Sequence, residues 1–420
     1  MGVGDVTRAG AFAPFEARSF RFQWPADLAT SWAFEMEALI LGWYVLVTTG
    51  SVKQMAVVAS LAWLGALFSP FFGLAGDRFG ARRILLVTRG AYALCAATLA
   101  ALALSGSLQT WHVFAIATVS GLMRPSDMAM RYVLIGQTMR PAMLMGSIGL
   151  MRTGADSARV AGALAGTAGV ALTGMGQAYA GVAALYLGAF FLSLGVAAPP
   201  ARAPSATAGR AREVFAGLAD AVIYVWRRPD LLGALCMALL INLFAFPFTL
   251  GLLPYAAREV FAMGQSGLGW LAGAAAIGSL LGSIAVGAGT FRPRAARAML
   301  WAGAAWFSAI LLFGQTRSVP LALALLFLAG MAQGFCIPPI EAVLLRGTTE
   351  AMRGRVMGLR ILAVWGLPLG ILASGPVISS LGFAATALLY SGLGLAATFA
   401  IAHRWRGALW HDAAPANSRS

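Results

Sequence analysis

The chain has 420 residues, of which 60% are hydrophobic and only 11% charged. A soluble domain carries roughly 25% charged residues, so this composition excludes an ordinary soluble enzyme or binding domain and indicates an integral membrane protein. The formal net charge is +15 and every basic residue except Lys53 is arginine; because the arginines recur between apolar runs, this balance reflects membrane topology rather than nucleic-acid binding.

In chain order, residues 1–27 are polar and mixed, without an apolar stretch followed by a small-residue cleavage site, and read as a cytoplasmic N-terminal tail. Apolar runs of spanning length then follow near 28–49, 54–75, 84–105, 110–133, 142–172 and 176–197, a first six-helix bundle over 28–197. Residues 198–230 differ: they hold Pro199, Pro200 and Pro204 with Arg202, Arg210, Arg212, Arg227 and Arg228. Within this linker Val214, Phe215, Leu218, Val222, Ile223 and Val225 recur at helical spacing, which predicts an amphipathic helix, either on the inner membrane surface or as a solvated connector. Six more runs, near 231–255, 266–289, 296–315, 318–344, 356–381 and 383–403, make a second bundle over 231–404, and 405–420 form a tail. The expected fold is all-α and integral to the membrane, with twelve transmembrane helices in two six-helix bundles.

Arginines alternate strictly between the loops. One set of loops carries Arg8, Arg18, Arg21, Arg78, Arg82, Arg83, Arg140, the linker arginines, Arg292, Arg294, Arg297, Arg353, Arg355, Arg404 and Arg406; the other holds Lys53, Arg258, Arg317 and little else. The positive-inside rule therefore predicts that both termini and the linker are cytoplasmic.

The densest charge lies between the second and third runs, in Gly73-Leu-Ala-Gly-Asp77-Arg78-Phe-Gly80-Ala-Arg82-Arg83. An acid among arginines at a helix junction can meet the positive end of a helix dipole or pair with an arginine, and Gly73 and Gly80 permit close approach and a tight turn. The second half repeats an arginine-bearing loop after its own second run, Phe291-Arg-Pro-Arg294-Ala-Ala-Arg297, without the acid. With this loop and twelve runs the chain resembles the major facilitator superfamily, whose loop motif reads roughly G-x-x-x-D-R-x-G-R-R; Ala81 stands where that motif has a basic residue. The resemblance implies that Gly73, Asp77, Arg78, Gly80, Arg82 and Arg83 form a cytoplasmic gate that locks the outward-facing state. Within the superfamily Gly42-Trp-Tyr-Val-Leu-Val-Thr-Thr-Gly50, Ala158-Arg159-Val-Ala-Gly162-Ala-Leu-Ala-Gly166, Arg353-Gly-Arg355-Val-Met-Gly358 and Leu367-Pro-Leu-Gly370 are similar to the branch of the enterobactin exporter and macrolide-efflux proteins. That branch implies drugs, macrolides or siderophores as substrates; where drug exporters often show Gly-Pro in the fifth span this chain has Gly162-Ala163, which leaves export and import both open.

Ionisable residues at membrane depth are rare and usually face a bundle interior or a water-filled cavity. Glu35 and Glu37 lie in the first run and point about 200° apart on a helix, so both are not expected to line one cavity squarely; Glu35 is the preferred proton carrier, with Glu37 and Glu341 as the other candidates. Arg124, Asp127 and Arg131 share one helical face, as do Arg152, Asp156 and Arg159, and together they predict an intramembrane charge network. An acid between two arginines stays ionised, which suits a latch or an anion site better than a proton carrier. Glu341 follows Ile337-Pro338-Pro339-Ile340, where two prolines are expected to break or kink the helix. Arg89, a turn and a half into the third run, is expected to snorkel to the inner surface.

Cys95, Cys236 and Cys336 lie singly in apolar runs and His112, His403 and His411 are scattered, so no metal site or cofactor is expected. No phosphate-binding GxxxxGK[ST] loop is present, and no nucleophile–base cluster suggests an enzyme. The sequence thus predicts a monomeric secondary transporter of the bacterial cytoplasmic membrane, exporting a bulky small molecule in exchange for protons by alternating access. Uptake by the same fold and a non-transporting sensor are the other readings.

Overall fold

A computed structural model describes residues 13–68, 76, 79–197, 211–287 and 295–410. Gly73, Asp77 and Arg78 of the loop motif, the proline-rich linker segment 198–210 and both outer tails lie outside the described residues. The described chain is helical. Its first half comprises α1 (Arg18–Thr49), α2 (Val52–Leu61), α3 (Ala81–Leu104), α4 (Thr110–Thr138), α5 (Pro141–Thr173) and α6 (Met175–Leu194). The linker helix α7 (Ala211–Trp226) leads to the second half: α8 (Pro229–Gly251), α9 (Gln265–Gly287), α10 (Ala295–Gln315), α11 (Val319–Arg346), α12 (Glu350–Leu362), α13 (Gly366–Leu381), α14 (Phe383–Arg404) and the short α15 (Arg406–Leu409).

Eight spans, with α12 and α13 joined by a 3-10 turn into one, are long and apolar enough to cross a bilayer. The remaining four of the twelve are α1, α4 and α5, which are long but bear the intramembrane charges, and α2, which slackens into a 3-10 turn at Leu64–Phe68. α1 begins at Arg18, ten residues before the apolar run. Its polar first turns are stabilised by burial: Phe20 is fully enclosed with Ile135, Met139 and Met151, and the Phe15 ring packs edge-on against Phe20 and Trp24 at 5.1 and 5.5 Å.

Close packing uses small residues. Gly278 and Gly282 on α9 face Gly330 and Gly334 on α11, the small-residue arrangement that lets membrane helices touch backbone to backbone. A Cβ on Gly334 would lie 2.6 Å from the Ser279 carbonyl oxygen, and one on Gly330 would fall on the Ala275 carbonyl. Gly330→Leu should therefore destabilise the protein by about 1–3 kcal/mol or more, read as a lower melting temperature of the purified protein. An unchanged melting temperature would contradict this packing.

The two halves meet through α2 with α13 and α5 with α9. The Ser60 hydroxyl donates to the Pro368 carbonyl at 3.1 Å, Gly375 abuts Ala56 and Lys53, and Gly269 and Gly273 abut Thr167 and Leu164. Arg258, just past α8, donates to the Leu46 carbonyl at 2.6 Å. α11 runs unbroken as an α-helix through Pro338-Pro339, where the sequence predicted a break or kink. Prolines are tolerated within membrane helices where neighbouring helices meet the freed backbone groups, and here α9 lies directly against Gly334.

Candidate functional site

The first half holds a buried four-charge network. Arg89 on α3 is fully buried rather than extended to the surface. Its Nη2 donates to Asp27 Oδ1 of α1, its Nε to Asp127 Oδ1 of α4 at 3.3 Å, and its Nη1 to Ser193 Oγ of α6 at 2.5 Å. Arg131 pairs with Asp127 at 2.5 Å and with Asp27 at 3.6 Å, and donates to Ser31 Oγ at 3.0 Å. Snorkelling fails for Arg89 because two carboxylates lie within reach inside the bundle, and charge-assisted hydrogen bonds there outweigh rehydration at the surface. The network ties four helices together, and Asp27, at the edge of the apolar run, is its hub.

Arg124 does not join Asp127. Its guanidinium carbon sits 3.0 Å from the Phe34 ring centroid and 4.1 Å from that of Trp63, and Nη1 is buried with no hydrogen-bond partner among the described residues. Arginine prefers such aromatic faces when an acid is taken by other partners, and Asp127 is already shared by Arg89 and Arg131. On α5 the expected triad is loose: Arg152–Asp156 is 3.6 Å and Arg159–Asp156 is 3.7 Å. Arg159 also reaches Glu35 at 3.9 Å, which joins α5 to α1.

Glu37 stands apart. It is buried, and among the described residues no cation lies within 4.0 Å of its carboxylate. Instead the Tyr186 hydroxyl donates to Oε2 at 2.8 Å and the Tyr179 hydroxyl to Oε1 at 3.3 Å. The Tyr92 ring lies 5.2 Å from that of Tyr186. The tyrosines were legible only in part: Tyr179 and Tyr186 are two helical turns apart on α6, one face of an otherwise apolar run, but the acid they meet belongs to another helix.

A hollow of about 130 Å³ lies between the halves, lined by Glu35, Glu37, Phe34, Trp63, Arg124 and Arg159 from the first half and by Thr249, Ser279 and Gln333 from the second. Both glutamates reach it, despite their angular separation, because long side chains approach the space from either flank of α1. A second hollow, enclosed by α1, α4 and α5 and reaching Asp27 and Arg131, shares Phe34, Glu35, Arg124 and Arg159 with it. Where Thr249 enters, α8 is wound as successive π-turns, Ile241–Ala245 and Pro247–Gly251. Such wide turns expose backbone and often occur at functional positions. Glu341 is half-buried on α11 outside this lining, within electrostatic reach of Arg360 on α12, whose Nε is buried with no hydrogen-bond partner among the described residues.

Of the loop motif, Gly80 precedes α3 with φ 83°, a left-handed conformation suited to glycine, and Arg82 donates to the Leu194 carbonyl at the end of α6 at 2.6 Å. Arg83 is exposed.

Comparison with known proteins agrees with this architecture. The family model of the Major Facilitator Superfamily matches residues 26–371. The multidrug efflux pump Tap of Mycolicibacterium fortuitum is 26% identical over 369 residues, 83% of this chain and 86% of that protein. Among solved structures, the D-xylose-proton symporter superposes with a TM-score of 0.71 at 12% identity, covering 92% of this chain and 97% of that one. The nucleoside transporter NupG does so with a TM-score of 0.66 at 16% identity, covering 93% and 100%; at such identities the likeness concerns the fold. A multi-pass helical chain with a polar hollow between its halves and a matching family model is a membrane transporter, not an enzyme, and this chain belongs to the major facilitator superfamily.

Proposed function

We propose that the chain exports a bulky, partly apolar small molecule across the bacterial cytoplasmic membrane in exchange for protons. The observation that carries this reading is Glu37: a buried acid lining the hollow between the halves, held by two phenol hydroxyls and, among the described residues, with no cation within 4.0 Å. Such a group can exchange a proton for a cationic or polar part of a substrate, because either neutralises it in a site that water barely reaches. Glu35, loosely held by Arg159, would contact substrate at the wall, while Asp27, Asp127 and Asp156, each paired with arginine, hold the bundle. Phe34 and Trp63 offer aromatic surface, and the π-turns of α8 adapt the far wall. The distant relationship to a multidrug efflux pump favours export and a drug, macrolide or siderophore as cargo.

With the arginine-rich ends in the cytoplasm, both termini would lie inside, and the contacts of Ser60, Gly375 and Arg258 would join the two halves on the outer side. The loop of Asp77 would lock the inner side in the outward-facing state. The chain would work as a monomer, since each polypeptide encloses its own hollow. The test is transport by purified protein in liposomes carrying an imposed pH gradient, with a panel of macrolides, other antibiotics and siderophores. Proton-driven substrate movement opposite to the proton flux is the expected result. Movement in the same direction as protons would establish uptake instead, and ligand binding without movement would establish a sensor.

A further inference from the structure

The geometry points to a binding site for one anionic phospholipid at the end of the last span. α14 breaks at Trp405 (φ −116°, ψ 29°) and continues as α15. The break turns Trp405 and Leu409 inward, with Leu409 buried against Gly233 of α8. Phe399, His403, Arg406 and Trp410, spaced four, three and four residues apart, are thereby left on one outer face around a wide, open surface hollow of about 440 Å³.

The order of groups along this face matches that of a lipid. Phe399 is 74% exposed on the spanning part, where acyl chains run. Its ring is parallel to that of His403, with centroids 6.3 Å apart. His403, Arg404 and Arg406 follow, all exposed, and among the described residues none of them is ion-paired with a carboxylate. Trp410 closes the hollow and is itself positioned by Arg297 of α10, which donates to its carbonyl at 2.6 Å and lies 4.9 Å from its ring. Arginine binds phosphate in a forked geometry, tryptophan favours the interfacial depth of the glycerol, and basic pockets at span ends attract anionic headgroups. A snorkelling arginine alone would leave no hollow; here the fold-back of α15 builds one with an apolar floor and a cationic rim. This assignment does not depend on what the protein transports or in which direction.

The test is native mass spectrometry of the purified full chain, titrated with phosphatidylglycerol, with phosphatidylethanolamine of the same acyl chains, and with soluble glycerol phosphate. One phosphatidylglycerol should be retained with roughly tenfold preference over phosphatidylethanolamine, and glycerol phosphate should not displace it. His403→Ala/Arg406→Ala should reduce that preference about fivefold or more at an unchanged melting temperature, whereas Arg406→Lys should keep most of it. Phe399→Ala should weaken retention of both lipids. Equal retention of the two lipids, retention untouched by the double variant, or displacement by glycerol phosphate would overturn the site. So would binding seen only after removal of residues 411–420, which would make that segment the occupant.

Discussion

Glu37→Gln should reduce proton-driven substrate accumulation in liposomes to the level of protein-free vesicles while leaving substrate counterflow measurable. The Tyr186 and Tyr179 hydroxyls donate to separate oxygens of the native carboxylate at 2.8 and 3.3 Å; glutamine keeps one acceptor oxygen for the first, and its amide can donate to the other hydroxyl, so the fold around α6 should persist. What is lost is a group that can hold a proton. Counterflow requires only substrate binding and alternating access, and separates loss of coupling from loss of the site. Glu35→Gln is expected to differ: its carboxylate faces Arg159 at 3.9 Å at the wall of the hollow, so apparent substrate affinity should fall while the gradient still drives accumulation. Wild-type accumulation by Glu37→Gln, with loss in Glu35→Gln or Glu341→Gln, would transfer the coupling role to another helix.

The second large effect concerns Arg89. Arg89→Met should cost about 3–5 kcal/mol, because it leaves Asp27 and Asp127 buried with only Arg131 between them. The melting temperature of the purified protein should fall by on the order of 10 °C, with a lower folded yield. Arg89→Met/Asp27→Asn should recover much of the loss, since Asp127 and Arg131 then remain as a balanced pair at 2.5 Å. A double variant no more stable than the single one would show that Arg89 acts through packing rather than charge.

How far the sequence can be read differs by element. The apolar runs sufficed for twelve spans, because bilayer thickness and backbone satisfaction leave few alternatives for a chain of this composition, while the family was legible through the loop motif of Gly73, Asp77, Arg78, Gly80 and Arg82. Local spacing also placed Asp127 beside Arg131 and Asp156 between Arg152 and Arg159, at three and four residues along one helix. Spacing could not decide partners across helices. Arg124 has the same spacing to Asp127 as Arg159 to Asp156, yet it lies on Phe34 and Trp63 because Asp127 is occupied from α3. The unbroken helix through Pro338-Pro339 likewise depends on α9 standing against it.

Membership of the membrane, the number of spans and the presence of costly internal charges were therefore determined by the amino-acid sequence alone, since each follows from transfer of one segment at a time from water to lipid. Only the tertiary structure decided that Arg89 is a buried partner of Asp27 and Asp127, and that Glu37 is enclosed by Tyr179 and Tyr186. It alone decided that Glu35 and Glu37 share one hollow. The physical reason is that pairing energies depend on distances between helices, and those distances are set by small-residue contacts such as Gly330 against Ala275, which no single segment encodes.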